Sequence, residues 1–196
     1  CSVRHRHIVT KKLSNNSANT TTTIAGNGIA GSGPYMLNIP RGIFVDVGLN
    51  LYIADCGNNR VQLLQQGYTN MTTVVGYGSN QTIRLQCPTS VVLDADGYLF
   101  IADYYNQRII GSNANGYRCI LGCTNGNGSA SNQLSQPWSL SFDSYGNIYV
   151  NDAGNSRLQK FLFISNSCDE VIFYDDTLTS ITNLNITTTT SYQNGM

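Results

Sequence analysis

The sequence is poor in charged residues and in proline, has one tryptophan, and lacks any long apolar run. Only 11% of its 196 residues are charged, and the formal net charge is zero. Domains that hold nucleic acid through its phosphates normally carry a basic excess, so we expect no nucleic-acid partner. No stretch approaches the ~20 apolar residues of a membrane helix, so we expect no membrane insertion. Hydrophobic residues still form 41% of the chain, which is enough for a packed core.

Cysteines and glycosylation sequons are the features that bear on the cellular compartment. The six cysteines are an even number, and six Asn-x-Ser/Thr sequons accompany them. Together they favour a secreted, oxidised, glycosylated protein. The sequence begins with Cys1, which suggests a mature form or a fragment. The sequons begin at Asn15, Asn19, Asn70, Asn80, Asn127 and Asn185.

A repeat of about 48 residues organises the chain. Three segments align without gaps from a proline, and the spacings between these prolines (Pro40, Pro88 and Pro137) are 48 and 49 residues. In each copy an aspartate follows the proline by six residues, a second aspartate comes nine later, and an arginine five after that. The second aspartates and the arginines are Asp55, Arg60, Asp103, Arg108, Asp152 and Arg157.

Each repeat contains four short segments with alternating apolar residues, rich in β-branched and aromatic side chains. This period of two predicts strands, and no segment has a helical stripe. Between the first two strands, "DADGY" and "DSYGN" have the Asp and Gly of a tight hairpin. The first copy reads "DVGLN", with Gly48 one place earlier, so we expect a different turn type there. A four-stranded antiparallel unit at this period predicts an all-β fold of β-propeller blades.

The pattern P-x-G-I-x-V-D…G-N-x-Y-x-A-D-x-x-N-N-R-V-Q resembles the NHL repeat, and the three copies each look like one. The resemblance implies a β-propeller, and NHL propellers typically have six blades. We therefore expect a partial set of blades of a longer propeller. The expected units are a partial upstream blade over 1–28, made of its last two strands; blades over 29–76, 77–122 and 123–176; and a Thr-rich disordered tail over 177–196.

The Asp-turn-Arg element at the second turn of each repeat is interpreted as structural. Its carboxylate can accept hydrogen bonds from N–H groups of the turn, and the arginine is within reach of that carboxylate. An active site needs one copy, whereas blade geometry needs every copy. The aspartates after the first strands (Asp46, Asp94 and Asp143) occur once per blade, too far apart to share a Ca²⁺ ion. We expect no metal and no cofactor.

In an antiparallel meander, the turns between second and third strands lie on the same face of the propeller as the loops that lead to each proline. Residues on this face that differ between repeats are the candidate ligand-binding residues, because the fold does not dictate them. Cys56 and Cys87 fall on the same face and are a plausible disulfide, as is a bridge from Cys119 or Cys123 to a neighbour; six cysteines allow fifteen pairings. The candidate binding residues are Arg41, Trp138, Tyr104, Tyr105, Tyr77 and Tyr35.

These features favour a non-catalytic module that binds a protein, a glycan or a small ligand. One alternative is the substrate-recognition end of a ubiquitin ligase, because NHL repeats often follow a RING and a coiled coil, although neither element is present. A second alternative is an enzyme of the peptidyl-hydroxyglycine lyase type. Such an enzyme needs zinc-binding histidines, and this sequence has no histidine after His7. We therefore expect no catalytic residues.

Overall fold

The computed structural model describes residues 2–15, 18–81, 83–123, 126–166 and 170–175. These residues form four antiparallel sheets, in which strands adjacent in sequence are adjacent in space. The first sheet contains β1 (Ser2–Val3), β2 (Ile8–Asn15) and β3 (Ala18–Ala25). The second contains β4 (Pro40–Val45), β5 (Leu51–Asp55), β6 (Arg60–Leu64) and β7 (Thr72–Gly76). The third contains β8 (Pro88–Leu93), β9 (Leu99–Asp103), β10 (Arg108–Asn113) and β11 (Gly116–Leu121). The fourth contains β12 (Pro137–Phe142), β13 (Ile148–Asp152), β14 (Arg157–Asn166) and β15 (Glu170–Asp175).

In the three four-stranded sheets, the second and third strands are joined by a single 3₁₀ turn. In the second sheet this turn is Cys56–Asn58, and in the third it is Tyr104–Asn106. The residue that closes each turn has a left-handed backbone, with φ of 54° at Asn59 and 56° at Gln107. These turns and the prolines that open the first strands lie at one edge of the sheets, because Pro40 pairs with Asp55. We call this the mouth edge.

The opposite edge carries the hairpins between the first and second strands. All three hairpins have the same two backbone hydrogen bonds, from the first residue to the fifth and from the fourth back to the first. The expectation of a different turn in "DVGLN" is therefore wrong. Leu49 adopts a left-handed φ of 62° at the position where Gly97 and Gly146 have φ of 84° and 82° in the other copies. The hairpin geometry thus prevails over the cost of a left-handed leucine.

Successive sheets pack face to face, and each interface is an apolar core. Between the second and third sheets, Val61 and Ala54 pack with Val91 and Ile101. Between the third and fourth, Ile109 and its neighbours meet Val150. Burial of such branched side chains contributes about 1.5–3 kcal/mol each. This face-to-face stacking is the arrangement of blades in a propeller, as the repeat predicted.

The first sheet extends further than the sequence indicated. Residues 1–28 were expected to provide two strands, but Ser2–Val3 forms a third, paired with β2. The turn Arg4–Arg6 and the left-handed His7, with φ of 53°, repeat the 3₁₀ turn of the other sheets. Val3 therefore occupies the place of Asp55, a correspondence that is hard to see because neither the Asp nor the Arg is present.

Several sequence predictions lie outside the described residues. These are the placement of Cys1, Cys168 and Asn185 and the disorder of 177–196. The predicted last strand of 123–176 is described, as Glu170–Asp175. Of the sequon asparagines whose side chains are described, Asn70, Asn80 and Asn127 are all exposed. None of the helical turns in the described part of the chain is long or apolar enough to cross a membrane.

Candidate functional site

The Asp-turn-Arg element forms a buried clamp at the mouth edge of each complete sheet. In the second sheet, Asp55 Oδ2 accepts hydrogen bonds from Arg60 Nε at 2.8 Å and Asn58 Nδ2 at 2.7 Å. Asp55 Oδ1 accepts one from the backbone N–H of Asn38 at 2.7 Å. Arg60 also donates to the carbonyls of Ser32 and Met36. The clamp therefore ties the 3₁₀ turn to the long loop that precedes the blade's proline.

The same clamp recurs in the third and fourth sheets, with nearly identical distances. All three aspartates are fully buried. The backbone donor lies in the loop, two residues before the proline, and not in the turn where sequence reasoning had placed it. The corresponding residues are Gln86, Asp103, Asn106 and Arg108 in the third sheet, and Ser135, Asp152, Asn155 and Arg157 in the fourth.

Burial raises the pKa of Asp55 and Asp103 above the ordinary value of 3.8, although their hydrogen bonds and the nearby guanidinium act in the opposite direction. Two hairpin aspartates at the opposite edge have pKa values shifted in the other direction. A hydrogen bond from the Asn50 side chain lowers the pKa of Asp46, and one from Asn147 lowers that of Asp143. The carboxylates of Asp55 and Asp103 thus carry the desolvation cost of a structural ion pair.

Four of the six candidate binding residues come together at the mouth edge. The guanidinium carbon of Arg41 lies 4.6 Å from the centroid of the Trp138 ring. Tyr104 makes edge-to-face contacts with Trp138, at 5.6 Å between centroids, and with Tyr105, at 4.8 Å. We call Arg41, Tyr104, Tyr105 and Trp138 the mouth cluster. It joins the second, third and fourth sheets.

The backbone explains why these side chains meet. In each first strand the pairing with the second strand is interrupted directly after the proline, at Arg41, Thr89 and Trp138. Such a bulge leaves the residue out of the regular alternation and re-aims its side chain. Thr89 is buried and donates to the carbonyl of Pro137, which bridges the third and fourth sheets. Gly42 lies so close to the Thr89 carbonyl that a Cβ there would be only 2.5 Å away.

A depression of about 340 Å³ opens beside the mouth cluster. Arg41 and Trp138 line it together with Gly42, Ser90 and Ser139. Trp138 is 40% exposed and Tyr105 is 54% exposed, so large aromatic surface is presented to solvent. This volume is at the lower end of the range for small-ligand pockets.

The other two candidates, Tyr35 and Tyr77, are exposed, but the described ring contacts do not include them. Tyr77 lines a separate depression with Gln81, Ile83 and Arg84.

A feature that sequence reasoning missed is a side-chain hydrogen bond that links each blade to the next. His7 Nδ1 accepts a hydrogen bond from the Ile39 N–H. In the same way, the side-chain oxygen of Asn59 accepts a hydrogen bond from the Cys87 N–H, and that of Gln107 accepts one from the Gln136 N–H.

The structure contains two disulfides among the described residues. Cys56 in the 3₁₀ turn of the second sheet is bonded to Cys87, next to the proline of the third, which is the pair that the sequence made plausible. Cys119 is bonded to Cys123, so these two cysteines pair with each other. No group of three or more His, Cys, Asp or Glu residues suited to a metal ion occurs in the described part of the chain.

The fold and the clamps agree with comparisons to known proteins. The NHL repeat family model matches residues 37–62 and 134–161. The matched segments include two of the three clamps. The described sheets are therefore propeller blades, and two of them contain a segment that matches the NHL repeat. A comparison with curated proteins gives no match.

Solved structures with a similar fold are β-propellers of greater length. A structural genomics protein of unknown function from Bacteroides thetaiotaomicron is 16% identical with a TM-score of 0.63, over 80% of this chain and 42% of that one. A chain of a nidogen/laminin complex is 15% identical with a TM-score of 0.58, over 81% of this chain and 54% of that one. A streptogramin B lyase is 13% identical with a TM-score of 0.55, over 88% of this chain and 49% of that one. This chain therefore spans about half the length of these proteins, and the likeness concerns the fold alone.

Proposed function

We propose that this chain is a non-catalytic binding module that recognises a partner through the mouth cluster. The observation that carries the proposal is the meeting of Arg41, Trp138, Tyr104 and Tyr105 from three sheets on one solvent-facing surface. Trp, Tyr and Arg are the residue types that dominate the energetics of protein interfaces. These four side chains stand at positions where the repeats differ, so the blade does not require them.

The chemistry of the same surface supports binding over catalysis. The residues that line the depression offer hydroxyls, one guanidinium and one indole, with no carboxylate, thiol or imidazole to act as acid, base or nucleophile. The two histidines are at positions 5 and 7, in the 3₁₀ turn of the first sheet and directly after it. His7 accepts the N–H of Ile39 and so acts as a link between blades.

Two disulfides support an extracellular setting for this module, because cytosolic thiols are kept reduced. The exposure of Asn70, Asn80 and Asn127 makes them suitable acceptors for N-linked glycans in that setting. We therefore propose a secreted, glycosylated protein whose partner is a protein or a glycan. Mass spectrometry of the secreted protein, before and after glycosidase treatment, tests glycan attachment at these three asparagines.

A binding screen with a matched control tests the proposed surface. Wild type, Trp138→Ala and Tyr145→Ala are applied to arrays of random peptides and of oligosaccharides. Tyr145 is an exposed aromatic in a hairpin of the opposite edge, so its removal controls for loss of aromatic surface in general. We expect ligands that wild type and Tyr145→Ala retain and that Trp138→Ala loses. Identical binding profiles for the two variants would overturn the proposal.

A further inference from the structure

A second depression lies at the mouth edge, where the second sheet meets the loop that leads to Pro88. Its volume is about 440 Å³, which is within the range of small-ligand pockets. On one side it is lined by Asn59, which closes the 3₁₀ turn of the second sheet, and by Tyr77, which follows β7. On the other side the loop contributes Gln81 and Arg84. No residue of the mouth cluster lines this depression.

The loop segment over residues 84–87 is held in place by the fold. Arg108 of the third sheet's clamp donates a hydrogen bond to the Arg84 carbonyl at 2.7 Å. Asp103 Oδ1 of the same clamp accepts one from the Gln86 N–H, also at 2.7 Å. Cys87 is bonded through its disulfide to the turn of the second sheet. The Arg84 side chain therefore starts from a fixed backbone, so binding would not have to order this segment.

The backbone of Arg84 has a role that the repeats share, whereas its side chain is individual. The equivalent carbonyls, those of Met36 and Gln133, accept hydrogen bonds from the other two clamp arginines. Tyr77 likewise stands where the other repeats have an asparagine and a cysteine. The blades thus need the backbone at these positions, and the side chains of Arg84 and Tyr77 are left for another use.

Four polar groups around this depression have no hydrogen-bond partner in the part of the chain that the structure describes. They are the Arg84 guanidinium, the Tyr77 hydroxyl, the Gln81 side-chain amide and Asn59 Nδ2. The Tyr77 side chain is 75% exposed. None of the described residues that line the depression is acidic, so Arg84 gives the site a positive charge.

We propose that this depression binds a saccharide that carries a carboxylate. The carboxylate pairs with the Arg84 guanidinium, whose planar donors suit two parallel hydrogen bonds. The amides of Asn59 and Gln81 bind sugar hydroxyls, and the Tyr77 ring packs against the apolar C–H face of the sugar. The site is separate from the mouth cluster, so this inference goes beyond the proposed function and does not depend on it.

Other ligand classes use less of the site. A carboxylate of an acidic peptide would pair with Arg84 but would not use the two amides. A neutral saccharide would leave the guanidinium without an anion. A nucleic acid gains its affinity from many phosphate contacts, and this depression has a single arginine.

An NMR titration of isotope-labelled protein tests the site, because the side-chain NH₂ signals of Asn59 and Gln81 report contact with the ligand. The probe is a tetrasaccharide of alternating glucuronic acid and N-acetylglucosamine. It is compared with a neutral N-acetylglucosamine tetrasaccharide and with a capped Gly-Glu-Gly-Glu peptide, which has as many carboxylates as the probe. The variants are Arg84→Gln and its matched control Arg6→Gln, which removes an exposed arginine from the first sheet's turn.

We expect the acidic tetrasaccharide to shift both NH₂ signals saturably. Arg84→Gln should unfold at the wild-type temperature and bind the probe about tenfold more weakly, the usual effect of losing one charged hydrogen bond. Arg6→Gln and Trp138→Ala should bind it as wild type does.

Four results would each overturn the inference. They are no binding of the probe, equal binding of the neutral tetrasaccharide, tighter binding of the peptide, and equal weakening by Arg84→Gln and Arg6→Gln. Loss of binding in Trp138→Ala would place the saccharide at the mouth cluster and would overturn the inference as well.

Discussion

The clamps and the mouth cluster lie at the same edge of the same sheets, yet the repeats treat them in opposite ways. Asp55 and its two counterparts keep equivalent arginine partners, at 2.8, 2.9 and 2.7 Å, in the three complete sheets. The position directly after the proline is instead Arg41, Thr89 or Trp138. A contact that every blade needs is repeated, whereas a contact with one partner is made once. Repetition therefore separates the residues that build the fold from those left for binding.

The largest expected effect is the loss of a clamp. Asp103→Ala leaves Arg108 and the Gln86 N–H without their buried acceptor, and breaking a buried ion pair in this way costs about 3–5 kcal/mol of the free energy of unfolding. Urea denaturation followed by circular dichroism measures it. The control is Asp96→Ala, an exposed hairpin position, which should cost about 0.5 kcal/mol or less. Equal losses in the two variants would contradict the structural role of the clamp.

A second comparison concerns equivalent apolar positions on two sheets, one covered by the next sheet and one exposed to solvent. Ile109 directly follows the clamp arginine Arg108 and is fully buried against the fourth sheet. Its counterpart Leu158, which directly follows Arg157, is 70% exposed. Ile109→Ala should therefore cost about 2–5 kcal/mol. Leu158→Ala should cost about 0.5 kcal/mol, as at other surface sites. A loss of 2 kcal/mol or more for Leu158→Ala would show that something covers this face in solution.

The disulfides offer a third comparison, between a bridge across blades and a bridge within a short loop. Cys56 and Cys87 are 31 residues apart, whereas Cys119 and Cys123 are four apart. Since stabilisation grows with the length of the closed loop, we expect the double change Cys56→Ser/Cys87→Ser to cost about 2–4 kcal/mol. Cys119→Ser/Cys123→Ser should cost less. Thermal unfolding of both variants tests the order, and the reverse order would contradict it.

The smallest effect is a difference in titration between clamp and hairpin. Burial raises the pKa of Asp55, so the native state holds this proton to higher pH than the unfolded chain does. The free energy of unfolding therefore decreases as the pH rises from 3.8 through the native pKa of Asp55. Asp46 has the opposite sign, because its lowered pKa adds stability above 3.8 that is lost as the pH falls through its native pKa.

Carboxyl NMR titration measures both groups in one sample. Asp55 should titrate above Asp46, and Asn50→Ala should bring the pKa of Asp46 back toward its ordinary value, because the Asn50 side chain is the main cause of its shift. A lower pKa for Asp55 than for Asp46 would contradict the burial of the clamp.

The sequence predicted the propeller fold and the NHL repeats because strand period, turn residues and clamp residues recur together. It also grouped Arg41, Trp138 and Tyr104 on one face, since a meander alternates its turns between two edges. It could not predict that Arg41 would reach Trp138 two sheets away, because that contact depends on how far each blade rotates. The short strand Ser2–Val3 of the first sheet was missed, because Val3 and Ile8 replace the Asp and Arg that mark the turn elsewhere.

The central claim is that the clamps hold the fold and that the mouth cluster is left for a partner. The free energy of unfolding of Arg41→Gln tests it most directly. Stacking of an arginine on an exposed ring contributes about 0.5–1 kcal/mol, so the variant should stay within about 1 kcal/mol of wild type. A loss of about 3 kcal/mol or more, comparable to that of Asp103→Ala, would place Arg41 among the residues that build the blades and would contradict the account.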